Sequence, residues 1–246
     1  MAYKSGNPAL NKDTFSNLQQ ASVGDTMTLD GVAGKSLILL LLCVGSGFFG
    51  WQLAAQQLEM VGPYVLGSVL AAFIVAIITI FKKNFSPFTA PLYAVLEGFA
   101  LGAISQLFER GFEGIVLQAL LLTGGIFVSM LFLYLFRIIK ATENFKLGVA
   151  AATGGIALYY VANLVMSFFG TELPFIHSNS GWGISFTVLV IVIAALNLVV
   201  DFDFIEQGVE RRAPKFMEWY ASFGLLVTVV WLYLEILRLL AKARSR

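Results

Sequence analysis

Seven long apolar runs follow one another along most of this 246-residue chain. Each run has about 20 residues, the length that a helix needs to cross roughly 30 Å of hydrocarbon. A membrane barrel would instead show segments of about ten alternating residues. The sequence therefore predicts an all-α integral membrane protein, a bundle of seven transmembrane helices. The runs lie near residues 36–55, 62–81, 88–108, 115–136, 147–169, 183–203 and 223–241.

The composition agrees with this class. The chain is 58% hydrophobic and 13% charged, with a mean hydropathy of +0.82, whereas soluble domains carry about 25% charged residues. A net charge of +1 argues against nucleic acid as a partner, because such binding requires a basic patch. One cysteine, Cys43, and one histidine, His177, offer little for a disulfide or a metal site. We therefore expect no cofactor, and the lipid bilayer as the main partner.

The first 34 residues differ from the rest. Residues 1–34 mix Ser, Asn, Gln, Asp and Gly without sustained periodicity, which predicts a disordered cytoplasmic tail before a membrane domain at 35–246. No signal peptide is expected, because the first 30 residues lack an apolar stretch. The predicted connections contain Gly62-Pro63, Ser86-Pro87, Gly111 with Gly114, the ATENFK stretch and ELPFIHSNSG.

The positions of Lys and Arg predict the orientation, since cytoplasmic connections carry an excess of both. The first, third and fifth connections contain only Arg110, and the opposite side contains eleven basic residues. We therefore expect a cytoplasmic amino terminus. Basic residues after the seventh run oppose this, but carboxy-terminal charges are a weaker determinant than earlier connections. The eleven are Lys4, Lys12, Lys35, Lys82, Lys83, Arg137, Lys140, Lys146, Arg211, Arg212 and Lys215.

Four acidic residues lie inside the apolar runs. An ionisable group in hydrocarbon is costly and usually faces a bundle interior, a water path or a partner, so these residues are the candidate functional site. At 1.5 Å per residue, the third, sixth and seventh segments place carboxyls about 15, 7 and 16 Å from the cytoplasmic side. The last value assumes that 214–222 lies along the membrane surface and that the chain turns inward at Gly224. The four are Glu97, Asp201, Asp203 and Glu235.

Each acid also has a structural alternative. Asp201 and Asp203 point about 200° apart on a helix, and we favour Asp203 as the inward member. Either aspartate can simply mark the wet end of the sixth helix. Glu235 precedes Arg238 by three residues, the spacing of an ordinary intrahelical ion pair. Glu97 has no Lys or Arg in its own segment, so a structural role requires a hydrogen bond from another helix.

Small and amide residues in the runs are interpreted mainly as packing residues. Glycines let helix backbones approach closely, and asparagine side chains can bond across helices or line a polar path. We favour packing for all of them. They are Gly98 and Gly102 (a GxxxG motif), Gly124, Gly125, Gly154, Gly155, Asn163 and Asn197.

Three stretches resemble a known family. PLYAVLEGFALGAIS, the end of the sixth segment DFDFIEQG and the final WLYLEILRLL are similar to the bacterial branch of the Bax inhibitor-1 family, also called the transmembrane Bax inhibitor motif family. Seven runs of matching spacing extend the likeness over residues 35–242. The resemblance implies a protein of the bacterial cytoplasmic membrane.

The resemblance further implies a bundle whose last helix is surrounded by the other six, acting as a pH-sensitive calcium leak. It assigns a proton-sharing carboxylate pair to Asp203 and Glu235, where we expect calcium to be held transiently. Asp201 and Glu97 are candidates for the ion pathway because of their positions inside apolar segments, independently of the resemblance. Two nearby carboxyls in a low dielectric titrate as a unit, because both cannot ionise easily. The chain departs from the family pattern in having Glu235 in place of an aspartate and a longer, 32-residue separation.

Other classes of function are weighed against this one. An enzyme is not expected. An intramembrane protease requires a Ser with a His in the membrane, two facing Asp residues, or HExxH. The sequence contains no HExxH, and its single histidine, His177, lies in a predicted connection. A proton-coupled transporter is the main alternative, since intramembrane carboxyls also relay protons. A scaffold that modulates other membrane proteins is the third.

Overall fold

The computed structural model describes residues 26–170 and 180–245. Within these residues the chain forms seven long helices, each apolar and long enough to span a membrane. The predicted fold class, an all-α membrane bundle, is confirmed. The helices are α1 (Leu29–Gln56), α2 (Leu58–Phe81), α3 (Ser86–Gly111), α4 (Ile115–Leu135), α5 (Glu143–Phe168), α6 (Gly181–Glu210) and α7 (Met217–Arg244), with a short 3₁₀ turn at Lys83–Phe85.

The first two helices begin earlier than predicted. Thr28 caps α1, its hydroxyl oxygen accepting a bond of 3.0 Å from the Gly31 amide, so the helix includes the last part of the expected tail. Residues 1–25 of that tail lie outside the described residues. The predicted connection at Gly62-Pro63 is wrong, since α1 and α2 are separated at Gln57 and Pro63 lies inside α2.

The last helix is uninterrupted from Met217 to Arg244. The prediction that 214–222 lies along the membrane surface is therefore wrong, as is the predicted turn at Gly224. The reason is burial, because Tyr220 is fully buried in a segment expected to face headgroups. Glu235 is then 18 residues after the start of α7, about 27 Å along it rather than the expected 16 Å.

The helices form two compact units, which we describe separately. The α1–α3 unit contains residues 26–116 and 203–227, and the α4–α6 unit contains residues 117–202 and 228–245 among those described. Both α6 and α7 contribute one part to each unit. The last helix is the most buried of the seven, with 61% of its apolar window buried against 11–50% for the others.

Close backbone contact joins α1 to α3 in the α1–α3 unit. A Cβ added at Gly102 would overlap the backbone of Gly47, and one at Gly98 would overlap the backbone of Cys43. The predicted packing role of this GxxxG pair is confirmed. Arg110 also joins the two helices, because its guanidinium donates to the Ala54 and Ala55 carbonyls at 2.8 and 2.6 Å. Arg110, the only basic residue in the first, third and fifth predicted connections, thus caps the end of α1.

Polar and aromatic contacts join the helices of the α4–α6 unit. The Asn197 amide on α6 donates to the Thr153 hydroxyl on α5 at 2.8 Å, which confirms a bond across helices. The Phe202 ring packs on Phe127 and Tyr134 of α4. The prediction that the other glycine pairs let helices approach closely is wrong, because added Cβ atoms there would meet open space. These glycines are Gly124, Gly125, Gly154 and Gly155.

Candidate functional site

Four polar residues share one face of α7 in the α4–α6 unit. Thr228, Glu235, Arg238 and Lys242 are separated by seven, three and four residues, the spacings that bring helical side chains to one side. We call these four residues the polar face of α7. The sequence pattern between them is strongly apolar, so each polar group requires a partner from a neighbouring helix or from its own.

Glu235 forms the centre of this face. Its side chain is 2% exposed, and its Oε1 accepts bonds from the Arg238 guanidinium at 2.8 Å and the Tyr160 hydroxyl at 2.9 Å. Arg238 also donates to the Tyr160 hydroxyl oxygen at 3.0 Å, so the three groups form a triangle. The intrahelical ion pair that the spacing allowed is therefore present. The second carboxylate oxygen, Oε2, is buried and has no hydrogen-bond partner among the described residues.

The two aspartates of α6 have different surroundings. Asp201 is 3% exposed, its carboxylate is hydrogen-bonded by the Thr228 side chain, and its Oδ2 is a buried atom without a hydrogen-bond partner in the described part of the chain. Asp203 is only partly buried and accepts a bond from the Gln207 amide one turn later. The prediction that Asp203 is the inward member is wrong. Asn197, one turn before Asp201, is also buried, so these two polar residues share a buried face of α6.

The expected Asp203–Glu235 pair is divided between the two units. Asp203 belongs to the α1–α3 unit and Glu235 to the α4–α6 unit. Each carboxylate has partners within its own unit, as given above. Asp201 and Glu235 belong to the same unit, where Thr228 bonds Asp201 and lies two turns before Glu235 on the polar face of α7.

Lys242 is a buried cation that the sequence interpretation missed. It is 5% exposed and donates to the Gly183 carbonyl at 3.2 Å and the Thr187 hydroxyl oxygen at 3.0 Å, both at the start of α6. Arg244 donates to the Gln118 side chain at 2.9 Å. Lys242 and Arg244, two of the carboxy-terminal basic residues that opposed the predicted orientation, are therefore engaged in contacts within the protein.

Glu97 lies in the other unit, on α3. It is half-buried, one turn after the buried Tyr93, and it precedes Gly98, which contacts the backbone of Cys43. The Ser68 hydroxyl of α2 donates to the neighbouring Leu96 carbonyl at 2.6 Å. Glu97 therefore lies between residues that pack against α1 and α2, and it does not belong to the unit that contains Glu235.

A third buried acid, Glu218, was also missed. It is 0% exposed in the first turn of α7, within the α1–α3 unit, and its carboxylate binds groups at the start of α1. The sequence signal is weak, because an acidic residue in the first turn of a helix is common and usually solvated.

The acidic residues do not form a dedicated metal cage. In residues 26–170 and 180–245, no group of three or more His, Cys, Asp or Glu side chains lies together in a way that could hold a metal ion. Calcium prefers six to eight oxygen ligands. Any cation at Glu235 or Asp201 would therefore need water and backbone carbonyls for most of its coordination.

Comparison with known proteins gives one family and no curated relative. The model of the family described as Bax inhibitor 1 like matches residues 7–245, nearly the whole chain. A search of curated proteins finds no match. The matched region includes all seven transmembrane helices and every acidic residue of the candidate site. The chain therefore belongs to the Bax inhibitor 1 like family of membrane proteins.

Proposed function

We propose that this protein is a pH-sensitive leak channel for calcium in the bacterial cytoplasmic membrane, with its amino terminus in the cytoplasm. One observation carries the proposal. Asp201 and Glu235 are nearly fully buried in membrane-spanning helices, and each has an oxygen without a hydrogen-bond partner among the described residues. Family membership supports the same function.

The energetic cost of this arrangement favours a functional role. A buried polar group without a partner costs about 1–3 kcal/mol, and more when it is charged. A purely structural pair would gain from binding both oxygens of each carboxylate. Free carboxylate oxygens can instead accept a proton, a water molecule or a hard cation. Few fixed ligands also suit a leak, because an ion that binds tightly does not leave.

Glu235 is the pH-sensing group in this proposal. When it is ionised, it holds the Arg238 guanidinium against the polar face of α7, and that fixed positive charge opposes the passage of cations. Protonation removes the attraction, so that Arg238 can move away and leave oxygen atoms available to calcium. Acidification therefore opens the leak, and a neutral residue at position 235 mimics the open form.

Which aspartate shares a proton with Glu235 is tested by comparing Asp201 and Asp203. The family resemblance assigns the partner role to Asp203, whereas burial favours Asp201. The pH profile of calcium flux is measured for Asp201→Asn and Asp203→Asn, each alone and combined with Glu235→Gln. The true partner gives a double variant that behaves like the single variants, because one neutral member already ends the coupling. Independent, additive shifts for both aspartates would rule out a proton-sharing pair.

Flux through the purified protein tests the function itself. Liposomes containing only this protein and a trapped calcium indicator are exposed to external calcium between pH 5 and pH 8, the range in which a coupled carboxyl can titrate. A leak gives calcium entry down its own gradient that rises as the pH falls. Entry that requires an imposed proton gradient would identify a proton-coupled transporter. If calcium does not enter at any pH, the remaining alternative is a scaffold that modulates other membrane proteins.

A further inference from the structure

The start of the last helix is held by the start of the first one. The Glu218 carboxylate accepts bonds from the Thr28 amide and the Thr28 hydroxyl, both at 3.0 Å, and forms an ion pair with Lys35. Glu218 is 0% exposed and the Lys35 side chain is 17% exposed. The contact joins residues more than 180 positions apart, and all of them belong to the α1–α3 unit.

Further contacts surround this ion pair. Thr26 and Pro214 form an isolated β-bridge, and the Met27 amide donates to the Ala213 carbonyl at 2.7 Å. About two turns into α1 and one turn into α7, the Ser36 hydroxyl donates to the Ser222 hydroxyl oxygen at 3.0 Å. We call these two segments, residues 26–36 and 213–222, the clasp.

Gly31 makes the position of the carboxylate possible. A Cβ at residue 31 would overlap the Glu218 carboxylate, so only glycine lets this group lie against the backbone of α1. The Lys35 ammonium also lies 5.5 Å from the centre of the Trp219 ring, a distance at which a cation and an aromatic face attract each other. Among the described residues, the Glu218 carboxylate thus binds α1 and its cap, and the Trp219 ring packs against the Lys35 ammonium that pairs with it.

We propose that the clasp positions α7 and that its release accompanies opening of the leak. The inference rests on the function proposed above. Glu218 and Glu235 lie on one uninterrupted helix, so a displacement at the start of α7 is transmitted along its axis. The ion pair and the bonds around it are either formed or broken, which is the property of an element that holds a helix in one of two positions. Glu218 and Lys35 are therefore positioning residues, and they do not contact the ion.

A reversible disulfide tests the clasp directly. Ser36→Cys and Ser222→Cys are combined with Cys43→Ala, which removes the chain's single native cysteine. The two hydroxyl oxygens are 3.0 Å apart, so the sulfurs can reach bonding distance with a small adjustment. Oxidised protein in liposomes should lose calcium flux at acidic pH by about tenfold or more, and a reductant should restore it. Each single-cysteine variant serves as a control that oxidation should not affect.

Charge removal gives the opposite expectation. Glu218→Gln keeps the size of the side chain and removes its charge, so calcium flux per folded protein should rise several-fold at neutral pH. Lys35→Met should do the same, the two changes together should not add, and Lys35→Arg should keep flux close to that of the original protein. A purely structural role would lower thermal stability in Glu218→Gln and leave both flux and its pH profile unchanged.

The outcomes separate the clasp from the leak. If the cross-linked protein conducts calcium as well as the reduced protein, the control of opening by the clasp is wrong. If the unmodified protein does not conduct at all, the proposed function fails and the control of opening fails with it. The yield of the Ser36–Ser222 cross-link, measured by its mobility on a non-reducing gel, still shows in that case whether the clasp forms. The control is a pair of cysteines at Ser36 and at the exposed Lys215. If that pair cross-links as efficiently as the pair at Ser36 and Ser222, the contact between Ser36 and Ser222 is wrong.

Discussion

Replacing Arg238 with methionine tests whether the ion pair with Glu235 stabilises the protein. The change removes the guanidinium from a carboxylate that is 2% exposed and leaves only the Tyr160 bond on Oε1. Removing one partner of a fully buried pair costs about 3–5 kcal/mol, whereas exposed pairs contribute under about 1 kcal/mol. Because the Arg238 side chain is 34% exposed, we expect an intermediate loss of about 2 kcal/mol.

The assay is reversible unfolding of the purified protein at neutral pH in a mild detergent. Arg244→Met is the matched control, because Arg244 bonds an exposed glutamine and its loss should cost no more than about 0.5 kcal/mol. Glu235→Gln combined with Arg238→Met should cost less than the sum of the single changes, since neither charge is then left alone. Equal stability of Arg238→Met and Arg244→Met would refute the reasoning.

Three further predictions concern residues outside this ion pair. Glu97→Gln should fold normally and lower calcium flux if Glu97 lines the ion pathway, whereas normal flux in folded Glu97→Gln protein would remove it from the pathway. Gly102→Val should cost more than about 3 kcal/mol because its Cβ overlaps the α1 backbone, and Gly124→Val, which faces open space, should be nearly neutral in the same unfolding assay. A cysteine at Lys83 should resist an impermeant reagent added outside cells and one at His177 should react, and the reverse would overturn the orientation.

The seven helices were predictable because their signal is local. A run of about 20 apolar residues is sufficient evidence for a membrane span, whatever its neighbours are. The close contact at Gly98 and Gly102 was predictable for the same reason, since the GxxxG spacing itself creates a smooth helix face. Gly124 and Gly125 show the limit of that argument, because their open surroundings depend on which helix packs there.

The start of α7 was not predictable, because its determinants are distant in sequence. Pro214 and Trp219 favour a segment at the membrane surface when they are considered alone. The helix is instead buried from Met217 onward because Glu218 and Ser222 bind residues at the start of α1. A single sequence gives no sign of a contact over 190 positions.

The inward aspartate could have been identified from the sequence. Asn197 and Asp201 are four residues apart and therefore share one face of α6, whereas Asp203 points about 200° away from Asp201. Two polar residues on one face of an apolar helix favour burial of that face. The ion pair of Glu235 was foreseen as an alternative, but the Tyr160 contact was not, since it comes from another helix.

The most direct test of the proposed leak is the pH dependence of calcium flux in Glu235→Gln protein. Purified protein is reconstituted in liposomes beside the original chain and Glu59→Gln, which makes the same chemical change at an exposed position of α2. We predict that flux rises on acidification in the original chain and in Glu59→Gln, and that it is high and independent of pH in Glu235→Gln. A pH-dependent flux in Glu235→Gln that follows the original chain would contradict the assignment of Glu235 as the pH-sensing group.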